Sequence, residues 1–161
     1  HNNVKEVKKF KELTAMQPVI VSMKTDKGDL ELELYPEKMP ITVENFLKLV
    51  NSGFYNGLTF HRVEDWVVQG GDPSGNGTGG PGWAIKLETH PDLKNVTGAL
   101  AMARSANPDS AGSQFYILKK DASWLDGQYA VFGKVTRGMD VVKKLAIGDK
   151  MNNVETVESQ E

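Results

Sequence analysis

Cysteine is missing from all 161 residues, which excludes a disulfide framework, a thiol nucleophile and a thiolate metal site while leaving the redox compartment open. An excess of one charge is missing too. The 19 Lys and Arg face 21 Asp and Glu, for a net charge of -2, so no general attraction to nucleic acid or an anionic membrane is expected. No apolar run approaches the roughly 20 residues that span a bilayer, and no signal-peptide hydrophobic region is visible. Histidine is sparse. His1, His61 and His90 have neither the spacing nor the neighbours of a metal site, so no metal or other cofactor is expected, and His61 is read as a packing or hydrogen-bonding residue. The chain begins at His1 rather than Met; it is read as cytoplasmic, with export after loss of a leader as the alternative.

What is present reads as one domain with a short extension. Residues 1 to 17 carry Val4, Val7, Phe10 and Leu13 at helical spacing among Lys5, Lys8, Lys9 and Lys11, an amphipathic segment too short to be stable alone. The main domain is placed at residues 18 to 161. Its opening alternates in period two, Val19, Val21 and Met23 before Lys27-Gly28 and Leu30, Leu32 and Leu34 after it, the pattern of an antiparallel hairpin. Pro40 to Gly53 reads as a helix with proline in its first turn and glycine past its end. Short β-rich runs follow at 58–63, 66–69, 98–102, 114–118 and 129–135. A second helix is expected from Met139 to about Ile147, and a closing strand at Val154 to Val157. Many short strands with two helices predict an all-β fold and a closed barrel, because closure leaves no exposed edge.

Several chemistries can be weighed from motifs. Gly75-x-Gly77-x-x-Gly80 matches a dinucleotide fingerprint as a bare pattern, but Pro81-Gly82 and a β-like Trp83-Ala84-Ile85 follow where a helix would have to begin, so the loop is read as structural or substrate-lining. Gly112-Ser113-Gln114 lacks the nucleophile elbow of a hydrolase. Asn95-Val96-Thr97 is a glycosylation acceptor if the chain enters a secretory pathway.

The motifs Phe60-His61-Arg62-Val63, Gln69-Gly70-Gly71-Asp72, Gly77-Thr78-Gly79-Gly80, Gly112-Ser113-Gln114-Phe115-Tyr116, Trp124-Leu125-Asp126-Gly127 and Val131-Phe132-Gly133-Lys134-Val135 resemble the cyclophilin family in order and nearly in spacing, from about Val19 to Ile147. The resemblance implies a closed eight-stranded antiparallel barrel capped by two α-helices, and a peptidyl-prolyl cis/trans isomerase that assists protein folding, with a substrate groove on the outer barrel surface. It implies Arg62 as the catalytic residue, Gln69 and Gln114 as hydrogen-bonding partners, and Val67, Tyr116 and Leu125 as the lining of a proline-ring pocket. Trp66, Gly77, Ala103, Arg104, Trp124 and Tyr129 complete the rim. Trp124 goes in this family with binding of cyclosporin.

The chain departs from the family pattern in places. It is one residue shorter between Arg62 and Gln69, and Trp66 stands where phenylalanine is usual. Val67 replaces methionine, Tyr116 replaces phenylalanine and Tyr129 replaces histidine, while Met102 to Pro108 looks like bacterial members. The expected partners are proline-containing polypeptides and cyclosporin as an inhibitor, with no nucleic acid and a monomeric state. The alternative is a proline-peptide binding or chaperone-like module whose catalysis is incidental.

Overall fold

The hydrophobic alternation of the first hairpin translates directly into structure in the computed structural model, which describes residues 17–157. The helix expected over residues 1 to 17, and with it the boundary of the extension, lies outside the described residues save for Gln17. Strand β1 (Val19–Thr25) pairs with β2 (Gly28–Leu34) so that Val21 faces Leu32 and Met23 faces Leu30 across the ladder. These four side chains are buried, because a two-residue period puts them all on one face of the sheet. Gly28 closes the turn at φ 135°, a conformation that a Cβ would strain.

Helix α1 (Pro40–Asn51) follows, with Pro40 in its first turn. No side chain of its own caps it. Instead the distant Glu88 carboxylate accepts the Ile41 and Thr42 N–H groups at 3.2 and 2.9 Å and the Thr42 hydroxyl at 2.9 Å. This satisfies helix donors that have no partner within the helix and places negative charge at the positive end of its dipole.

The remaining elements are β3 (Phe60–Val63), β4 (Val67–Gly70), β5 (Ala99–Met102), β6 (Phe115–Leu118), a single 3₁₀ turn (Ser123–Leu125), β7 (Val131–Arg137), α2 (Met139–Lys144) and β8 (Met151–Val157). The eight strands form one antiparallel sheet in the order β3-β4-β6-β5-β7-β2-β1-β8.

The expected closed barrel is therefore corrected to an open half-barrel. Its two ends meet where residues 57–60 and 148–151, at the start of each edge strand, approach: an isolated Thr59–Lys150 bridge is flanked by Phe60 N–H to Asp149 O at 2.9 Å, Met151 N–H to Leu58 O at 2.8 Å, Gly57 N–H to Met151 O at 2.7 Å and Gly148 N–H to Phe60 O at 3.0 Å. Beyond that point β3 and β8 do not pair. The β8 edge is protected in another way: Asn56 Oδ1 accepts the Val154 N–H at 2.9 Å, so a side chain from the segment after α1 takes the place of a ninth strand pairing.

Two boundaries differ from the sequence reading by about three residues. Helix α2 stops at Lys144 because Leu145 turns to extended backbone, φ -60° and ψ 137°. Strand β8 begins at Met151 rather than Val154. Met151 and Val154 are both buried although three residues apart, because a bulge against Lys24–Thr25 inserts Asn152 and shifts the phase of the alternation.

The main core lies between the sheet and the helices and centres on Phe46, Tyr55, Phe60, Phe115 and Phe132. Strands β5 and β6 are buried on both faces, and β4 everywhere but at Gln69. Val68, Leu100, Phe115 and Ile117 point into that core, while Val67, Ala101, Tyr116 and Leu118 form a second apolar cluster on the opposite face, with Trp66, Ala103, Leu125 and Tyr129 packed against it. The second cluster is the floor of the candidate site.

Candidate active site

A cleft of about 560 Å³ opens over this outer cluster, bordered by β3, β4, the glycine-rich loop and the 3₁₀ turn. Of the residues singled out in the sequence, Arg62, Trp66, Val67, Gln69, Gly77, Ala103, Arg104, Tyr116, Leu125 and Tyr129 line it. Gln114 lines an adjoining cleft of about 330 Å³ that shares Gln69, Gly77, Ala103 and Arg104. Trp124 lies outside both linings. It is 66% exposed, and its ring centroid is 5.6 Å from that of Trp66, so it extends the aromatic wall outward.

Polar groups around the cleft form one directed chain. Arg62 Nη1 donates to Gln69 Oε1 at 3.2 Å, Gln69 Nε2 donates to Gln114 Oε1 at 3.1 Å, and Gln114 Nε2 donates to the carbonyls of Gly77 and Gly79 at 3.0 and 2.9 Å. The two carbonyls accept only, so they fix which way the Gln114 amide points, and that in turn fixes Gln69 with its oxygen toward Arg62. On its other edge Arg62 meets Glu64, Nε to Oε1 at 3.2 Å and Nη2 to Oε2 at 3.3 Å. The hydrogen bond from Arg62 holds the Glu64 carboxyl below the usual carboxylate range. On the far side Arg104 lies 4.5 Å over the Tyr129 ring and donates through Nε and Nη2 to Gln128 O.

The glycine-rich loop takes its shape from Asp72, which is buried. Its carboxylate accepts the N–H groups of Ser74, Asn76 and Gly77. The loop amides are thus turned onto an internal carboxylate, and no helix follows Gly80, so the loop lacks the phosphate-facing helix start of a dinucleotide site. Burial pushes the Asp72 carboxyl up, but the N–H donors of Ser74, Gly79, Gly77 and Asn76 outweigh it and leave it below the ordinary value. A group depressed in the folded state stabilises above its unfolded value, and that contribution is lost as pH falls through the folded one. Stability is therefore expected to drop below about pH 4. Asp72→Asn should flatten that acid limb while costing about 1–3 kcal/mol at neutral pH, measured by urea unfolding across a pH series.

Behind the pocket floor, the Tyr116 hydroxyl donates to Asn95 Oδ1 at 2.6 Å, and Asn95 donates to Asp126 Oδ1 through its backbone N–H at 2.7 Å and Nδ2 at 3.1 Å. Burial pushes the Tyr116 phenol up, so it stays a donor. Asn95 is 1% exposed, which removes it as a glycosylation acceptor in the folded chain: its amide is committed to the pocket. Tyr116→Phe strands a buried carbonyl oxygen and is expected to destabilise by about 1–3 kcal/mol, read from the urea midpoint. An unchanged midpoint would mean that the tether carries no stability.

Three residues escaped the sequence reading. His61 and Asn76 line the main cleft, and Glu64 grips Arg62. His61 neighbours Arg62 in the chain, and strict alternation would send it to the other face. A bulge between Phe60 and Arg62, where the register skips His61, turns both toward the cleft. His61 Nδ1 is buried with no hydrogen-bond partner among the described residues, and burial lowers its pKa from the ordinary histidine value.

An eight-stranded antiparallel half-barrel with two helices, carrying an arginine and two glutamines over an apolar floor on its outer face, is a cyclophilin-like architecture. The family model described as cyclophilin type peptidyl-prolyl cis-trans isomerase/CLD matches residues 20–160. Peptidyl-prolyl cis-trans isomerase B of Bacillus subtilis is 51% identical over 131 residues, covering 80% of this chain and 91% of the relative. A peptidyl-prolyl cis-trans isomerase of Helicobacter pylori is 44% identical over 149 residues, covering 90% and 91%. A cyclophilin type isomerase of Cryptosporidium parvum, solved in the presence of the dipeptide Ala-Pro, superposes with a TM-score of 0.81 at 32% identity, covering 87% of this chain and 99% of that one. The chain belongs to the cyclophilin-type peptidyl-prolyl cis-trans isomerase family, and it is an enzyme of that isomerase class.

Proposed function

We propose that the cleft binds proline-containing polypeptides and that Arg62 carries the catalysis. The prolyl ring sits on Val67, Tyr116 and Leu125, while Gln69, Gln114, Trp66, Gly77, Ala103, Arg104, Trp124 and Tyr129 border the bound peptide. The observation that carries this reading is the placement of the Arg62 guanidinium, anchored by Gln69, at the edge of an apolar floor. Rotation about an X-Pro bond must break amide resonance against a barrier of about 18–20 kcal/mol. In the twisted state the prolyl nitrogen regains a lone pair that either planar form lacks. A charged donor aimed at it binds the transition state more strongly than the ground states, which is the requirement for raising kcat. An apolar seat keeps the ring fixed and dry while the preceding carbonyl turns. No bond to the peptide forms.

A Cryptosporidium parvum relative solved with Ala-Pro supports a short proline peptide as the probe, and Trp124 at the rim supports cyclosporin as an inhibitor. The test is the isomerisation rate of a short X-Pro peptide with and without cyclosporin. Turnover abolished by cyclosporin supports the reading. A folded protein that binds the peptide but does not turn it over would leave a proline-peptide binding module instead.

A further inference from the structure

Arg62 is held only in part by packing. Its side chain is 42% exposed, and a free arginine carries about 2 kcal/mol of rotamer entropy, whereas a donor that acts on a transition state must be aimed before the reaction begins. We propose that Glu64 is the positioning residue that aims Arg62, an inference that rests on Arg62 being the catalytic donor.

The geometry supports this at each step. The Glu64 carboxylate takes the Nε and Nη2 edge of the guanidinium side-on, and Gln69 takes one N–H of Nη1. Arginine has five N–H donors, so three are committed. The two left over are one on Nη1 and one on Nη2, neither of them on Nε. Glu64 and Gln69 together define the plane of the guanidinium, which Gln69 alone, through one hydrogen bond, would leave free to swivel.

Glu64 is itself fixed. Its Oε2 accepts Trp66 Nε1 at 2.8 Å, its N–H donates to Val67 O at 2.8 Å, and its carbonyl accepts Lys119 Nζ at 2.7 Å. The Trp66 ring centroid is 5.5 Å from the Arg62 guanidinium carbon, so one carboxylate ties the donor to the aromatic wall of the pocket. The spacing that allows it is Arg62-x-Glu64-x-Trp66, three residues at period two around the β3–β4 turn. An exposed pair of this kind adds little to stability, because solvent screens it. Its effect is expected in the rate.

The experiment is Glu64→Gln, which keeps shape and an acceptor for Trp66 but sets an amide N–H₂ against one Arg62 donor. With a short X-Pro peptide, kcat should fall about tenfold at a KM within about twofold, with the thermal midpoint little changed. In an Arg62→Ala background the same substitution should cost nothing further, because there is no guanidinium left to aim. The Arg62 Nε–H resonance, free of any assay, should shift in Glu64→Gln. Unchanged kcat, or an equal loss in the Arg62→Ala background, overturns the positioning role. An inactive wild type overturns the catalytic reading and this inference with it, whereas an active wild type indifferent to Glu64→Gln overturns this inference alone.

Discussion

Arg62→Ala is expected to lower kcat for a proline peptide by about 10²–10³-fold, the range found when one transition-state donor is removed from a prepared site. The fold should survive. Arg62 is partly exposed, the pairing of its strand with β4 does not depend on its side chain, and the groups it leaves behind, Glu64 and the outer edge of Gln69, can be hydrated. KM should move less than kcat, because the charged hydrogen bond to the prolyl nitrogen exists only while the amide is twisted. Arg62→Lys should recover little: a point charge on a flexible stem cannot meet Glu64, Gln69 and the peptide at once. Steady-state kinetics beside a thermal melt would check all three expectations. A folded Arg62→Ala enzyme retaining more than a third of wild-type kcat would require another group to carry the reaction.

Phe115→Ala should have the largest effect on stability, about 3–5 kcal/mol. Phe115 is fully buried, with ring centroids 5.7 Å from Phe46, 5.5 Å from Tyr55 and 6.3 Å from Phe60, all three pairs edge-on. Removing the ring loses the transfer energy, leaves a cavity ringed by stiff aromatics that cannot collapse to fill it, and forfeits three edge-to-face contacts. Against a total stability of about 5–15 kcal/mol for a domain, this is a large share. Gln114 and Tyr116 flank Phe115 on β6, so activity should fall together with the folded fraction. A urea midpoint shifted by less than the equivalent of about 1 kcal/mol would show that the cluster repacks.

The same residue marks how far the sequence can be read. Alternation in β6 sends Phe115 to the core and Tyr116 to the outer floor, and a period of two is a local property that any single strand displays. The β1–β2 hairpin and α1 were legible for the same reason: Leu30, Leu32 and Leu34, or Pro40 and Gly53, carry their signals within a few residues. Closure of the sheet was not legible, because it depends on whether β3 and β8, far apart in the chain, run side by side along their length. Bulges hid the rest. At Asn152 the bulge disguised the start of β8, and at His61 it turned a residue expected to pack toward the cleft.

The sequence by itself determined the family, through motifs held in order, and with it the isomerase class, most of the strands and the candidate site residues, most of which the fold gathers around one cleft. Only the tertiary structure decided that the barrel stays open, that Asn95 is spent on Tyr116 and Asp126, that Asp72 occupies the amides of the glycine-rich loop, and that Glu64 grips Arg62. The reason is physical. Local periodicity and motif spacing are properties of short stretches, whereas a hydrogen-bond partner is set by which segments the folded chain brings within about 3 Å, and register shifts of a single residue decide which side chains those are.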